Sequence, residues 1–270
     1  MNIRWAAQAE SGRDALRSFQ EDVPVRLIAT PRAEFVVASK TEEVGAVVTR
    51  NVAGYDHFPV VEWAASDEPL IVGLLDIGGH EARSSVPVSQ VMRSLRETDF
   101  IGADASLLDF IREADVRPFR FVVSGSAING LVALSDLQRL PVRASLFAMI
   151  THLEMTMAHA IRRRFRDSSA WLEYLPTNDQ KKIAAQVRRA TRDRELVDDL
   201  LYTTFSQKSL IIARQPEYAC YHNFETDVKA IRDLRNAIAH ANEYASTSER
   251  AASVCSLVRQ IDFWIAHFGD

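Results

Sequence analysis

The spacing of apolar positions changes near residue 142. Before it, short β-branched and aromatic runs alternate with turn residues; after it, apolar residues recur every three or four positions. The first pattern predicts strands and hairpins, the second amphipathic helices. The expected class is α+β: a strand-rich domain over residues 30–141, then an all-α helical bundle over 142–270. Residues 1–29 read as a helical or extended lead-in, with a short helix over 8–20 that presents Ala15, Leu16 and Phe19.

Within the first domain the pattern repeats. The run Phe35–Val44 aligns with Phe100–Asp109, each starting as a strand and continuing into a helix with Ser or Thr near its start. A two-strand pattern follows in each copy: Phe58–Glu62 and Leu70–Asp76 in the first, Phe119–Val123 and Ile128–Leu137 in the second. Asp136-Leu137 then opens a further helix. Each repeat therefore reads strand, helix, strand, strand, helix.

This order, with Gly130-Leu131-Val132-Ala133-Leu134-Ser135-Asp136-Leu137, resembles a tandem pair of CBS domains, a fold that often binds adenine nucleotides. The family usually carries Thr or Ser where Ala133 stands and an acid three residues on, the hydroxyl for phosphate and the acid for ribose. Asp136 is present, and Ser135 is the neighbouring hydroxyl. In the first repeat Gly79 takes the acid's position. The resemblance implies one adenine-nucleotide site, drawing on Asp136, Ser135, Ala133, Leu131, Gly102 and Ala103. By residue type alone, Asp136 equally suits a helix cap, and the pair equally suits a dimerisation module.

The second half predicts helices over Ala144–Arg166, 179–194, Glu195–Phe205, Ser206–Arg214, His222–Tyr244 and Ser248–Phe268. The fifth of these carries Arg235-Asn236-Ala237-Ile238-Ala239-His240. Arginine forks onto phosphate, and histidine moves protons near neutral pH. At about 100° per residue, Val228, Ile231, Leu234, Ile238 and Ala241 form a core-facing stripe, and Asn236, His240, Glu243 and Tyr244 lie opposite. Arg235 falls at the stripe's edge, where its guanidinium needs an anion; Glu154 on the first bundle helix is the candidate. Arg235 and His240 are about 140° apart on one helix, so a second copy completes the site better than one chain does.

The hexapeptide in its helical setting resembles the HEPN superfamily, whose signature is Arg, a polar residue, then His on a late helix of a small bundle. The resemblance covers about residues 144–268. It implies a metal-independent endoribonuclease that dimerises through the bundle and cuts single-stranded RNA through the RNA's own 2′-OH. His240 would be the acid or base, Arg235 the charge stabiliser and Asn236 the group orienting His240. Glu154 and Tyr244 would support them; some members carry a modified tyrosine shortly after the histidine. It also implies a prokaryotic setting of stress response, toxin function or phage defence.

Composition narrows this little. Of 270 residues 47% are apolar and 25% charged, and no apolar run spans a membrane. Cys220 and Cys255 offer no thiolate metal site and suit a cytoplasmic protein. Residues 1–141 hold 14 Lys+Arg against 20 Asp+Glu (net −6), and 142–270 hold 18 against 16 (net +2). Any contact with a polyanion must therefore be local, as through Arg162–Arg164, Lys181, Lys182, Arg188 and Arg189. No cofactor is expected for catalysis, with an adenine nucleotide as regulatory ligand. The competing reading is a non-catalytic dimerisation or regulatory module.

Overall fold

The computed structural model describes residues 23–63, 69–165, 170–192, 198–218, 221 and 223–269. The expected helix over 8–20, and Arg166, Arg194, Cys220 and His222, lie outside these. The chain divides into two compact units. One comprises Val25–Ala105 and Val116–Asp136; the other includes Ser106–Asp115 and Leu137–Asp270.

The first unit contains the repeat. Strand β1 (Thr30–Pro31) is followed by β2 (Ala38–Ser39), α1 (Val44–Arg50), the hairpin β3 (His57–Glu62) and β4 (Leu70–Asp76), and the single turn α2 (Val88–Val91). The second copy runs through β5 (Phe100–Gly102), the hairpin β6 (Phe119–Ser124) and β7 (Ala127–Ala133). In each copy the leading strand is parallel to the next and the hairpin is antiparallel, giving sheets β2-β3-β4 and β5-β6-β7, the latter extended by β1. The register shifts at the same place in both, between Val60 and Val61 and between Val122 and Val123. An inserted residue at one equivalent point bends both hairpins alike.

The copies exchange their leading segments. Thr30 and Pro31, ahead of the first copy, pair with Leu131 and Gly130 of the second. Arg93, ahead of the second, pairs with Leu74 of the first through hydrogen bonds of 3.0 and 2.9 Å. This exchange explains the repeated glycines: a Cβ on Gly73 would lie 2.8 Å from the Arg93 carbonyl oxygen, and one on Gly130 2.9 Å from that of Thr30. Leu74, Phe119 and Phe121 form a shared core, with Phe35, Ile71 and Leu131 packed on it. Asp99, 5% exposed, accepts both Arg93 guanidinium N–H bonds (2.6 and 2.8 Å) and the Arg96 backbone N–H (2.7 Å). Those bonds hold its carboxyl below the usual range, against burial, which raises it.

The second unit is helical. It contains α3 (Leu107–Glu113), α4 (Leu140–Arg164), α5 (Thr177–Arg192), α6 (Phe205–Ala213), α7 (Phe224–Ala239) and α8 (Ser248–Gly269). Its core is built from Leu146, Ile150, Leu153 and Met157 of α4, Ile211 and Ile212 of α6, Ile231 and Leu234 of α7, and Val254, Val258, Ile261 and Trp264 of α8. Although α3 lies between β5 and β6 in sequence, it packs by charge as well as apolar contact on α8. Arg112 donates to both Asp262 oxygens (2.6 and 3.0 Å), and Arg259 to both Asp115 oxygens (2.9 and 2.7 Å).

The α+β class and the strand-then-helix order match expectation. The helix expected over Glu195–Phe205 does not form in the described part. Residues 199–202 make one 3-10 turn, capped by Asp198, whose carboxylate accepts from Leu200 N–H at 3.1 Å. Thr204 is then extended and opens α6 with a capping box, trading bonds with Gln207 at 3.3 and 2.9 Å. Two capping residues in seven positions leave no room for a continuous α-helix.

Candidate functional site

Helix α7 buries Val228, Ile231, Leu234 and Ile238, as the stripe predicts. It stops at Ala239, five residues before the expected end, and the manner of stopping shapes the site. His240 is the C-cap. Beyond it the Ala241 N–H donates to Ile238 O (3.3 Å) and the Asn242 N–H to Ala237 O (2.9 Å). That pair of bonds is the Schellman motif, which places the residue after the cap in the left-handed region. Ala241 has φ 55° and is the one non-glycine with positive φ among the described residues. A Cβ there costs about 1–2 kcal/mol, so the surroundings must impose the conformation.

Arg143 of α4 supplies much of that constraint. Its guanidinium donates to the carbonyls of Ala237 (3.3 Å), Ile238 (3.0 Å) and Asn242 (2.9 Å). It also lies 5.0 Å from the centre of the Tyr244 ring. A permanent cation thus covers the negative end of the helix. Oriented to satisfy its neighbours, the Gln138 side-chain carbonyl accepts from the N–H groups of Tyr244, Ala245 and Ser246 (3.1, 2.7 and 3.0 Å). The segment after His240 is pinned from both sides.

Tyr244 consequently does not share a face with Asn236 and His240. The early helix end turns it inward: it is 7% exposed and its hydroxyl donates to Leu137 O at 2.6 Å. Burial pushes its pKa up to about 12, against a smaller lowering by Arg143. Ala241, expected in the core stripe, is exposed because it is no longer helical.

Asn236 and His240 are exposed, one turn apart, and Arg235 is half-buried. Arg235 Nη2 lies 3.7 Å from Glu154 Oε2, so the expected pair is present. The same carboxylate receives Lys208 Nζ on its other oxygen at 2.9 Å, and that ammonium also donates to Thr203 O at 2.6 Å. Lys208 is only 6% exposed. At 3.7 Å Arg235 is attracted by charge but is too far for a strong hydrogen bond, so its fork stays available. Two cations thus meet one carboxylate, Lys208 from the buried side and Arg235 from the half-buried side.

Sequence reasoning missed Arg143, Gln138 and Lys208. Lys208 left one signal, a lone cation just before the apolar Leu210-Ile211-Ile212. Arg143 and Gln138 left none, since both act on backbone atoms far along the chain. A cleft of about 280 Å³ opens between α7 and α8, lined in part by Asp233, Ala237, Glu243, Tyr244 and Arg250. Arg235, Asn236 and His240 do not line it. Among the described residues no group of three or more His, Cys, Asp and Glu is placed to hold a metal ion. No helix among them is long and apolar enough to cross a membrane.

The six nucleotide candidates occupy two ends of the β5-β6-β7 sheet. Gly102 pairs with Val123, which pairs with Ile128, whereas Ala133 pairs with Phe119. Five residues of β7 separate the two ends, about 17 Å at ~3.4 Å per residue. Gly102 and Ala103 therefore do not meet Ala133, Ser135 and Asp136 within one copy. Leu131 and Ala133 are half-buried and Ser135 is exposed. Asp136, 8% exposed, accepts the Ala133 N–H on Oδ2 at 2.7 Å and so helps to close its own turn.

No family model matches this chain, and no curated protein matches it. Among solved structures it is similar to the CBS domain of a bacterial CNNM/CorC family Mg2+ transporter in complex with ATP. Identity is 22%, over 48% of this chain and 94% of that one, with a TM-score of 0.35. A hemolysin-like protein containing a CBS domain from Oenococcus oeni PSU is 16% identical over 46% of this chain and 93% of that one, TM-score 0.36. The hexameric CBS-CP12 protein from bloom-forming cyanobacteria is 12% identical over 79% and 96%, TM-score 0.32. These likenesses are weak, and the tandem repeat rests instead on strand order, shared bulge position and the paired glycines.

Proposed function

We propose that this chain is a nucleotide-regulated, metal-independent endoribonuclease that acts as a homodimer through its helical bundle. The observation that carries the reading is the end of α7. There a pinned backbone presents Asn236 and His240 to solvent, and Arg235 lies in a patch with two cations to one carboxylate. In the step proposed, the RNA 2′-oxygen attacks the adjacent phosphorus, and the O2′–P bond forms as P–O5′ breaks. One His240 takes the 2′-OH proton, and the second copy's His240 gives a proton to O5′. The products are a 2′,3′-cyclic phosphate and a 5′-hydroxyl, so no outside reactant is required. Arg235 stabilises charge on the pentavalent phosphorus, and Asn236 orients His240 from one turn earlier.

Purified protein is expected to cleave single-stranded RNA in EDTA. His240→Ala is expected to lose the activity while the dimer persists in sedimentation; an active, dimeric His240→Ala protein overturns the reading. The regulatory ligand proposed for the repeat unit is an adenine nucleotide, with Asp136 and Ser135 nearest its ribose and phosphate. Titration calorimetry with ATP and AMP tests this, and absence of heat with both leaves the repeats as a structural pair. In a second reading the bundle is a non-catalytic dimerisation module. It is favoured by the α7–α8 cleft, which excludes the three hexapeptide side chains.

A further inference from the structure

Helix α5 is the most asymmetrically charged element of the bundle. Over Thr177–Arg192 it carries Lys181, Lys182, Arg188, Arg189 and Arg192 against a single acid, Asp179. At about 100° per residue all five cations fall within an arc of about 120°, along some 16 Å of helix at ~1.5 Å per residue. Its buried residues are Ile183 and Ala190, on the opposite side. All five cations are exposed. None of them has a hydrogen bond or ion pair with the described residues, whereas Arg162 at the end of α4 is paired with Asp198.

A solvated helix ordinarily interleaves acids and bases at i, i+4. Here Arg188 and Arg192 are a like-charge pair at that spacing, and Arg189 and Arg192 one at i, i+3. The helix dipole accounts for the last turn's Arg189 and Arg192 but not for Lys181 and Lys182 near the other end. The chain as a whole has net charge −4, so this ridge is a local concentration and not a bulk trend. Between Lys181 and Arg192 the sole residue in the arc besides the cations is Ala185. A helix lying on a lipid surface needs large apolar side chains beside its cations, and α5 turns its apolar residues inward.

We infer that the outer face of α5 is a docking track for the sugar–phosphate backbone of single-stranded RNA; the choice of RNA rests on the ribonuclease reading above. Cations contact phosphates without reading bases, and each phosphate neutralised on a single strand contributes about −0.7 to the slope of log K against log salt. Full engagement of the five cations gives a slope of about −3.5.

The test is fluorescence anisotropy on the full chain with a labelled 2′-O-methyl oligoribonucleotide. This strand cannot be cut through its own 2′-oxygen, so binding is read apart from cleavage. Lys181→Gln with Lys182→Gln is expected to flatten the slope by about 1.4, and Arg188→Gln with Arg189→Gln by a similar amount. A 2′-deoxy strand of the same sequence is expected to show the same slope, because the contacts are to phosphate. Variant slopes equal to wild type overturn the track whatever the cleavage assay shows. Retention on phosphatidylserine vesicles that these substitutions abolish, with RNA slopes unchanged, overturns it in favour of a membrane. Wild-type slopes without any RNA cleavage leave the track standing and overturn the ribonuclease reading instead.

Discussion

Ala241 holds a conformation its side chain disfavours, one residue past the candidate histidine. Replacing it with glycine removes the Cβ clash at some cost in unfolded-state entropy. Ala241→Gly is expected to stabilise the bundle by about 0.5–1 kcal/mol, read as a rise in the denaturation midpoint. A loss of stability would mean that the left-handed turn is not imposed on the alanine. Tyr244 gives a second residue-scale outcome. Tyr244→Phe leaves the Leu137 carbonyl without its donor and is expected to cost about 1 kcal/mol. Alkaline pH acts on the same region. Burial raises the Cys255 thiol from 9.0 to about 11 and the Tyr244 hydroxyl from 10.0 to about 12. Both raised values favour the protonated form in the fold. The stability they contribute is complete below pH 9.0 and is lost as pH rises toward 12, at about 1.4 kcal/mol per pH unit for each group titrating in its window. Chemical denaturation from pH 8 to 12 measures the loss, and Tyr244→Phe should flatten its upper part.

At the scale of elements, α7 is held by groups from two other helices. Glu154 of α4 faces Arg235 of α7 and Lys208 of α6. Glu154→Ala leaves the Lys208 ammonium buried without its anion and is expected to cost about 3 kcal/mol, read by urea denaturation. Glu154→Gln tests orientation more gently, keeping the shape while removing the charge. In the repeat unit, Asp99→Asn breaks the bidentate Arg93 pair beside the point where Arg93 joins Leu74. A cost of about 1–3 kcal/mol is expected, measured by urea denaturation. How legible these elements were from sequence depends on the distance over which they are determined. The core face of α7 was legible, because Val228, Ile231, Leu234 and Ile238 follow helical period. So was the Arg235–Glu154 pair, because a guanidinium at a core edge needs an anion. The helix end was not, since Ala241 looks helical by propensity. It is turned by Arg143, nearly a hundred residues earlier in the chain. Tyr244 was misplaced for the same reason.

At the scale of the whole chain, the tandem repeat was readable because strand period, turn residues and glycines recur in register. The exchange of leading segments was not, since nothing local to Thr30 or Arg93 specifies which hairpin it joins. The partition of α3 was equally hidden. Its sequence reads as part of the second repeat, whereas its Arg112, and Asp115 just beyond its end, pair with Asp262 and Arg259 of α8. The candidate residues were visible as residue types, and the structure added their setting: a pinned helix end, a carboxylate shared by Arg235 and Lys208, and an exposed basic ridge. The most direct test of the ribonuclease claim is the rate at which wild type and His240→Ala produce 2′,3′-cyclic phosphate ends from a single-stranded RNA in EDTA. Cyclic ends are expected from wild type, and a rate for His240→Ala lower by at least about 100-fold, the scale of one acid–base group. Equal rates for the two proteins, or no cleavage by wild type with or without adenine nucleotide, would contradict the ribonuclease claim.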